Sequence, residues 1–407
     1  MLQLNNTLLG DREVMSMIYL DNAATTPMKR GAYEKMMPYL TKYYGNPASA
    51  CGFSKKSQVA MEYARAQCAS LIGANSHEIY FTSGGTESDN WALIGTIEAL
   101  NRKGKHIITT KIEHKAILST CAELEKRGYN ITYVDVDEHG QVNPKDIELA
   151  IRPDTILISV MMANNEIGTI QPIETIGKIA KNKGIWFHTD AVQACGHIDI
   201  DVAKMNIDML SASGHKFGGP KGIGFLYVRD GINLPAFIRG GGQENGMRSG
   251  TSNVASIVAM GEAAHIHKTN MSKYIRYVSD LREHAVKRIL NEIPLVKLNG
   301  HRVNRLPGNM NFSFRYVDGG KLLGALDSAG ICASAGSACS AKNKVSSHVL
   351  KSIGLPDDMA HGTLRLTISE ENNQKEIDIA VNHIKNAVFK LRENDAEYKE
   401  IRNEYRY

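Results

Sequence analysis

A chain of 407 residues is long enough for roughly two to three domains at about 150 residues each, which excludes a single small module. Hydrophobic residues at 43% and charged residues at 22%, with 36 Gly and 11 Pro, lie near globular averages and exclude a disordered or collagen-like chain. The net charge of +5, from 48 basic and 43 acidic residues interspersed along the chain, gives no case for direct nucleic-acid binding.

Residues 1–16 lack a basic segment followed by an apolar run and a small-residue cleavage site. They read as an amino-terminal extension and not as a secretory signal, so the protein is expected in the cytoplasm. Helical periodicity follows over 30–44 and 55–71. Short β-rich runs at 78–81, 106–109, 131–136, 155–161, 185–188, 209–212 and 224–228 then alternate with helical stretches at 86–100, 115–126, 144–151 and 173–182. Strand and helix in alternation predict an α/β fold, a mostly parallel seven-stranded sheet with helices on both faces. Past Asn253 the pattern changes to two helices, 254–267 and 272–291, strand-like runs at 296–298 and 310–314, a strand at 363–368 and a long amphipathic helix at 372–391. The expected organisation is a large α/β domain over 17–262, whose residues 17–30 can pack with the smaller unit, and a smaller α+β domain over 263–407 that carries the mobile cysteine loop. Apolar runs such as 156–163 fall far short of the ~20 residues a transmembrane helix needs, and no membrane association is expected.

The six cysteines, Cys51, Cys68, Cys121, Cys195, Cys332 and Cys339, include no C-x-x-C pair. That disfavours a disulfide scaffold or a zinc knuckle, and no metal site is expected. The segment Phe81-Thr-Ser-Gly-Gly-Thr-Glu-Ser88 sets two glycines and several hydroxyls between a strand and a helix. Free N–H groups and the helix dipole there suit a phosphate, although an ordinary turn capped by Thr86 explains the same residues equally well. In Ser213-Gly-His-Lys216 a lysine stands where a strand ends. Partial desolvation at such a place lowers the pKa and exposes a nucleophilic amine able to form a Schiff base, but most lysines are solvated surface charges. Asp190, just after the run 185–188, shifts the balance, since a carboxylate there can keep a pyridine nitrogen protonated, as a pyridoxal cofactor requires. Cys339 lies in an uncharged Gly, Ala and Ser-rich stretch, 328–341, suited to a mobile loop, whereas Cys332 follows Ile331 and is expected to face the core. Arg365 alternates with Leu364 and Leu366, so a strand points it away from them.

A phosphate-binding turn, an Asp after one strand and a Lys after a later one, in that order, is the layout of fold-type I pyridoxal phosphate enzymes. The motifs Asp21-Asn-Ala-Ala-Thr-Thr-Pro27, Gly45-Asn-Pro-Ala-Ser49, Thr82-Ser-Gly-Gly-Thr-Glu-Ser-Asp-Asn90, Glu113-His-Lys115, Asn164-Asn-Glu-Ile-Gly168, Gly214-His-Lys216, Gly219-Pro-Lys-Gly-Ile-Gly224, Gly246-Met-Arg-Ser-Gly-Thr251 and Gly336-Ser-Ala-Cys339 together resemble the cysteine desulfurases. The resemblance runs over about residues 18–391. It implies that Lys216 is the Schiff-base lysine, that Asp190 partners the pyridinium nitrogen of pyridoxal 5'-phosphate, and that His114 stacks on the ring and relays protons. Gly85, Thr86, Ser213 and His215 would hold the phosphate, with Thr251 arriving from the neighbouring subunit of a homodimer. Asn165 and Gln193 would contact the ring hydroxyl side, Asn165 also meeting substrate, and Arg365 would clamp the substrate carboxylate with bidentate geometry.

Cys339 would be the nucleophile that takes sulfur from L-cysteine as a persulfide, leaving L-alanine. A sulfur-acceptor protein, such as an iron-sulfur scaffold or a thiolation relay protein, would receive it. A selenocysteine lyase or a fold-related aminotransferase is the nearer rival, the latter disfavoured because it needs no nucleophile like Cys339. A partner-binding pseudoenzyme is the rival of another class, opposed by the joint presence of Lys216, Asp190, His114, Cys339 and Arg365. The chain departs from the family pattern with Cys51 where a histidine is usual, Gly218 in place of a bulkier residue, and Ser54 and Ser369 in place of glycines.

Overall fold

In the computed structural model, which describes residues 17–335, 347–395 and 398–399, the chain opens with a two-residue strand β1 (Ile18–Tyr19) and the helices α1 (Arg30–Thr41) and α2 (Lys55–Ile72). The alternating section runs β2 (Ile79–Thr82), α3 (Gly85–Leu100), β3 (His106–Thr110), α4 (Lys115–Lys126), β4 (Asn130–Val134), α5 (Pro144–Leu149), β5 (Thr155–Ser159), α6 (Ile173–Lys183), β6 (Trp186–Asp190), β7 (Met209–Ser213) and β8 (Gly224–Val228). Its seven strands form one sheet in the order β2-β8-β7-β6-β5-β3-β4, parallel except that β8 runs antiparallel to both neighbours. Strands buried on both faces read as near-continuous apolar runs, and the period of two decides which side each residue serves. Ile107, Leu157, Met209 and Leu226 pack with Trp91 of α3 and Ile117 of α4. Ile108, Ile158, Leu210 and Phe225 join the opposite layer, with Cys68 of α2, Ile147 of α5 and Ile176 of α6. Each such side chain contributes about 1.5–3 kcal/mol on burial, so a register slip of one residue would exchange the two layers at heavy cost.

The next helix, α7 (Val254–Glu292), is one element of 39 residues, about 58 Å long at 1.5 Å per residue. The sequence predicts two helices here because Lys268, Thr269 and Asn270 interrupt the apolar pattern. None of them is Gly or Pro, and packing on either side outweighs their modest propensity. Ala263 and Ala264 belong to the large-sheet layer, while Tyr274, Val278 and Ile289 belong to a second core. The expected boundary between 262 and 263 therefore falls inside a helix shared by both.

That second core is completed by β9 (Val296–Leu298), β10 (Asn309–Phe314), α8 (Gly319–Ser328), β11 (Ile331–Cys332), α9 (His348–Ser352), α10 (Asp357–Ala360), β12 (Thr363–Thr367) and α11 (Gln374–Arg392). β12, β10 and β9 form an antiparallel sheet whose Phe312 and Leu364 pack with Ile384 of α11, a helix begun by a capping box between Asn373 and Glu376. β1 pairs in parallel with β11, so residues 18–19 lie with this second unit. Two expectations are corrected by that ribbon. The stretch 328–341 is not loop throughout, since Ile331 and Cys332 are strand and Ser334 bridges Arg365. Cys332 does not face the core either. In a two-stranded ribbon one side stays open, and the thiol is half-buried against Met17 at 3.2 Å. Among the described residues no helix is long and apolar enough to cross a membrane.

Candidate active site

β2, β3, β5, β6 and β7 all run in one direction, and open α/β sheets bind ligands at the carboxyl edge of their strands. Asp190 is the last residue of β6, and Ser213 the last of β7, followed at once by a single 3₁₀ turn, Gly214–Lys216. His114 caps α4, its Nδ1 accepting from the backbone N–H of Ala116 at 3.2 Å. α3 begins after Gly84, whose φ of 149° lies in a region that favours glycine, and no side chain caps the helix. Its first N–H groups are thus available to an anion. A Cβ on Gly85 would collide with Val192, so this helix end sits tight against the segment that follows Asp190, with Ser213 close by. Thr86 is exposed beside it.

Burial lowers the Lys216 ammonium to a pKa of about 8, the nearby Arg365 adding to the effect. Its Nζ donates to the carbonyls of Ala23 at 2.7 Å and Ala24 at 2.9 Å. Burial pushes the Asp190 carboxyl up, against the pull of His114, the Val192 N–H at 2.9 Å and Lys216. His215, lowered to about 4 by burial and then by Lys216, is neutral near pH 7, with Nδ1 3.1 Å from the Thr25 hydroxyl. Gln193 donates to the Ala23 carbonyl at 3.0 Å, the same oxygen that holds Lys216. From the second unit Arg365, 3% exposed, donates from Nη2 to Asp21 at 2.7 Å and from Nη1 to the Asn165 carbonyl at 3.2 Å. Its Nε has no partner among the described residues.

A buried carboxylate short of a full counter-charge, a lysine amine of lowered basicity after the adjacent strand, and an uncapped helix amino terminus fit the ring nitrogen, aldehyde and phosphate of pyridoxal phosphate. The chain matches the class-V aminotransferase family over residues 18–379. It is 49% identical over 375 residues to the cysteine desulfurase IscS of Methanosarcina thermophila, covering 92% of this chain and 93% of that one. The chain belongs to the cysteine desulfurases of this family. Two solved structures resemble the desulfurase closely. A NifS-like protein superposes with a TM-score of 0.86 at 36% identity, covering 92% of this chain and 99% of the other. SspA in complex with cysteine superposes with a TM-score of 0.77 at 39% identity, covering 86% and 99%. The desulfurase is accordingly a pyridoxal phosphate enzyme.

The fold brings Gly85, His114, Asp190, Gln193, Ser213, His215 and Lys216 of the desulfurase to one sheet edge, with Asn165 linked through its carbonyl to Arg365. Thr251 is exposed just ahead of α7 and makes no side-chain hydrogen bond among the described residues. Cys339 lies outside the described residues. Sequence reasoning missed the Ala23 and Ala24 carbonyls, the Asp21 partner of Arg365 and the Thr25 partner of His215. All four sit in the Asp21–Pro27 motif, which was therefore a signal for the place but not for the contacts. It also missed Asp89, which stands beside Asp190.

Proposed function

We propose that this desulfurase removes sulfur from L-cysteine, with L-alanine as organic product and the sulfur held as a persulfide on Cys339 for transfer to an acceptor protein. The observation that carries the reading is the pairing of the Lys216 amine with a buried Arg365 that lies near enough to lower it and whose Nε lacks a partner among the described residues. A cationic fork beside a nucleophilic amine suits an α-amino acid, and the 39% identical SspA binds cysteine in its solved structure.

Bound in this cleft, pyridoxal phosphate would supply an electron sink for the pair left when Cα loses its proton. Asp190 would face the ring nitrogen, His114 the ring, and Asn165 and Gln193 the hydroxyl side. Gly85, Thr86, Ser213 and His215 would hold the phosphate, joined by Thr251 of a second copy. Lys216, with a pKa of about 8, has a neutral fraction near pH 7 able to take the Cα proton, and the Ala23 and Ala24 carbonyls fix its Nζ. Arg365 would grip the substrate carboxylate. The Cys339 thiolate then attacks the substrate sulfur: the S–S bond forms, the Cβ–S bond breaks, its electron pair stays with carbon, Cβ takes up a proton, and Lys216 returns the proton at Cα to complete L-alanine.

A homodimer fits the exposed apolar side chains Tyr33, Leu40, Tyr44, Phe53, Val59 and Tyr63, gathered on α1, α2 and the loop between them. The acceptor is a protein of the iron-sulfur scaffold or thiolation-relay type, and the setting the cytoplasm. The test is product balance: full-length protein loaded with cofactor and given L-cysteine and a thiol reductant yields alanine and sulfide in equal amounts. A keto acid with sulfur retained would replace this reading by an aminotransferase.

A further inference from the structure

Asp89, in the second turn of α3, places another carboxyl beside Asp190. It is 1% exposed, and neither of its oxygens has a hydrogen-bond partner among the described residues. One of its oxygens, an Asp190 oxygen and a His114 ring nitrogen lie within 4.8 Å of one another. Two carboxylates buried that close do not both ionise, because neither has water to disperse its charge.

The groups that face Asp89 leave it without a counter-charge of its own. From β6, His188 Nε2 is 3.7 Å from Oδ1, but burial lowers this imidazole to about 3 and leaves it neutral. Its two nitrogens are already engaged, with Ser159 at 2.9 Å and Ser211 at 3.0 Å. From β7, the Ser211 hydroxyl, which also meets His188, pulls the Asp89 carboxyl down, against the larger upward push of burial and of Asp190. From the segment before α4, Glu113 is a further acid, held by Thr110 at 2.7 Å and the Met161 N–H at 2.9 Å and pushed by burial to about 8. His114, the Val192 N–H and Lys216 all lower Asp190, and none of the three acts on Asp89. The negative charge of the pair therefore settles on Asp190 and the proton on Asp89.

We propose that Asp89 is a positioning residue, held as the neutral acid with its O–H turned toward Asp190, so that Asp190 remains a weak base and leaves the proton on the cofactor's ring nitrogen. A rotation about the last, soft torsion of Asp89 aims that O–H. The inference rests on Asp190 as the ring partner, and it adds the group that keeps Asp190 charged.

The test uses the full-length holoprotein loaded with pyridoxal phosphate isotopically labelled at the ring nitrogen. Asp89→Leu removes the donor, Asp190 becomes more basic, the nitrogen resonance moves toward the unprotonated form, and kcat falls about tenfold or more with little change in KM. Asp89→Asn, whose amide supplies an N–H donor of the same shape, returns the resonance to the protonated position. An Asn variant that behaves like Leu, or a Leu variant with an unmoved resonance, overturns the proposal. Should Asp89→Leu fail to fold, the infrared difference between wild type and Asp89→Asn decides. The C=O stretch of a protonated carboxylic acid at neutral pH supports the proposal, and a carboxylate band overturns it. Asp190→Asn separates the two readings: it shifts the resonance if Asp190 is the ring partner. An unmoved resonance there defeats that assignment, and the role of Asp89 with it, whatever the infrared band shows.

Discussion

Lys216 and Asp190 follow adjacent strands, β7 and β6, whose register of His188 with Met209 and Asp190 with Ser211 is set by apolar side chains on both faces of one sheet. Arg365 reaches the same cleft from a separate three-stranded sheet, opposite Asn311, and is held there by Asp21 and the Asn165 carbonyl. The groups suited to the cofactor thus share one floor, whereas Arg365, suited to the substrate, arrives from the second unit. Damage to the floor should strip the cofactor, and damage to the rim should spare it.

The strongest way to break that contrast is Lys216→Ala. Turnover should fall by more than about a thousandfold, since the variant loses both base and nucleophile, and the cofactor should wash out on desalting. Retained cofactor with unchanged absorbance would remove Lys216 from the floor. Arg365→Ala should weaken L-cysteine binding about 10- to 150-fold by loss of a charge-assisted contact, with cofactor content unchanged in the same preparation. The reverse pattern, cofactor lost and cysteine affinity kept, would erase the division.

A gentler probe is pH. The Lys216 pKa is lowered to about 8, chiefly by burial, so its neutral fraction grows as pH rises through that value. The rate of cofactor uptake by the apoprotein should climb up to about pH 8 and then level, whereas a solvated lysine would keep it climbing toward about 10.4. The smallest effect concerns Cys51, exposed and lowered to about 7 by the hydroxyls of Ser54 and Ser49. Burial raises Cys68 and Cys121 to about 12 and pushes Cys195 up as well. At pH 8, Cys51 should alkylate first among these four, as peptide mapping by mass would show, with no loss of bound cofactor.

The large sheet was legible because strands buried on both faces leave apolar runs bounded by turns, and Asp190 and Lys216 were legible because they stand where such runs end. The β1–β11 ribbon was not, since two residues per strand carry no period, and Cys332 was misplaced with it. The unbroken α7 was hidden by a polar interruption that tertiary packing overrides. The Ala23 and Ala24 carbonyls were illegible for a different reason: every residue has a carbonyl, and only the fold decides which of them meets Lys216. Asp89 lay within the Thr82–Asn90 motif, yet nothing in the sequence shows that its oxygens are buried without hydrogen-bond partners among the described residues.

Which thiol takes the sulfur tests the account most directly. Cys332 is half-buried on β11, and burial, then Asp327 and Asp21, raise its pKa, so it is mostly thiol at neutral pH and a poor nucleophile. Brief exposure of the holoprotein to L-cysteine, followed by peptide mass analysis, should find the persulfide on Cys339 in the wild type and in Cys332→Ser. Cys339→Ser should keep its cofactor colour, carry no persulfide and release almost no sulfur. A persulfide on Cys332, or normal turnover without Cys339, would contradict the account.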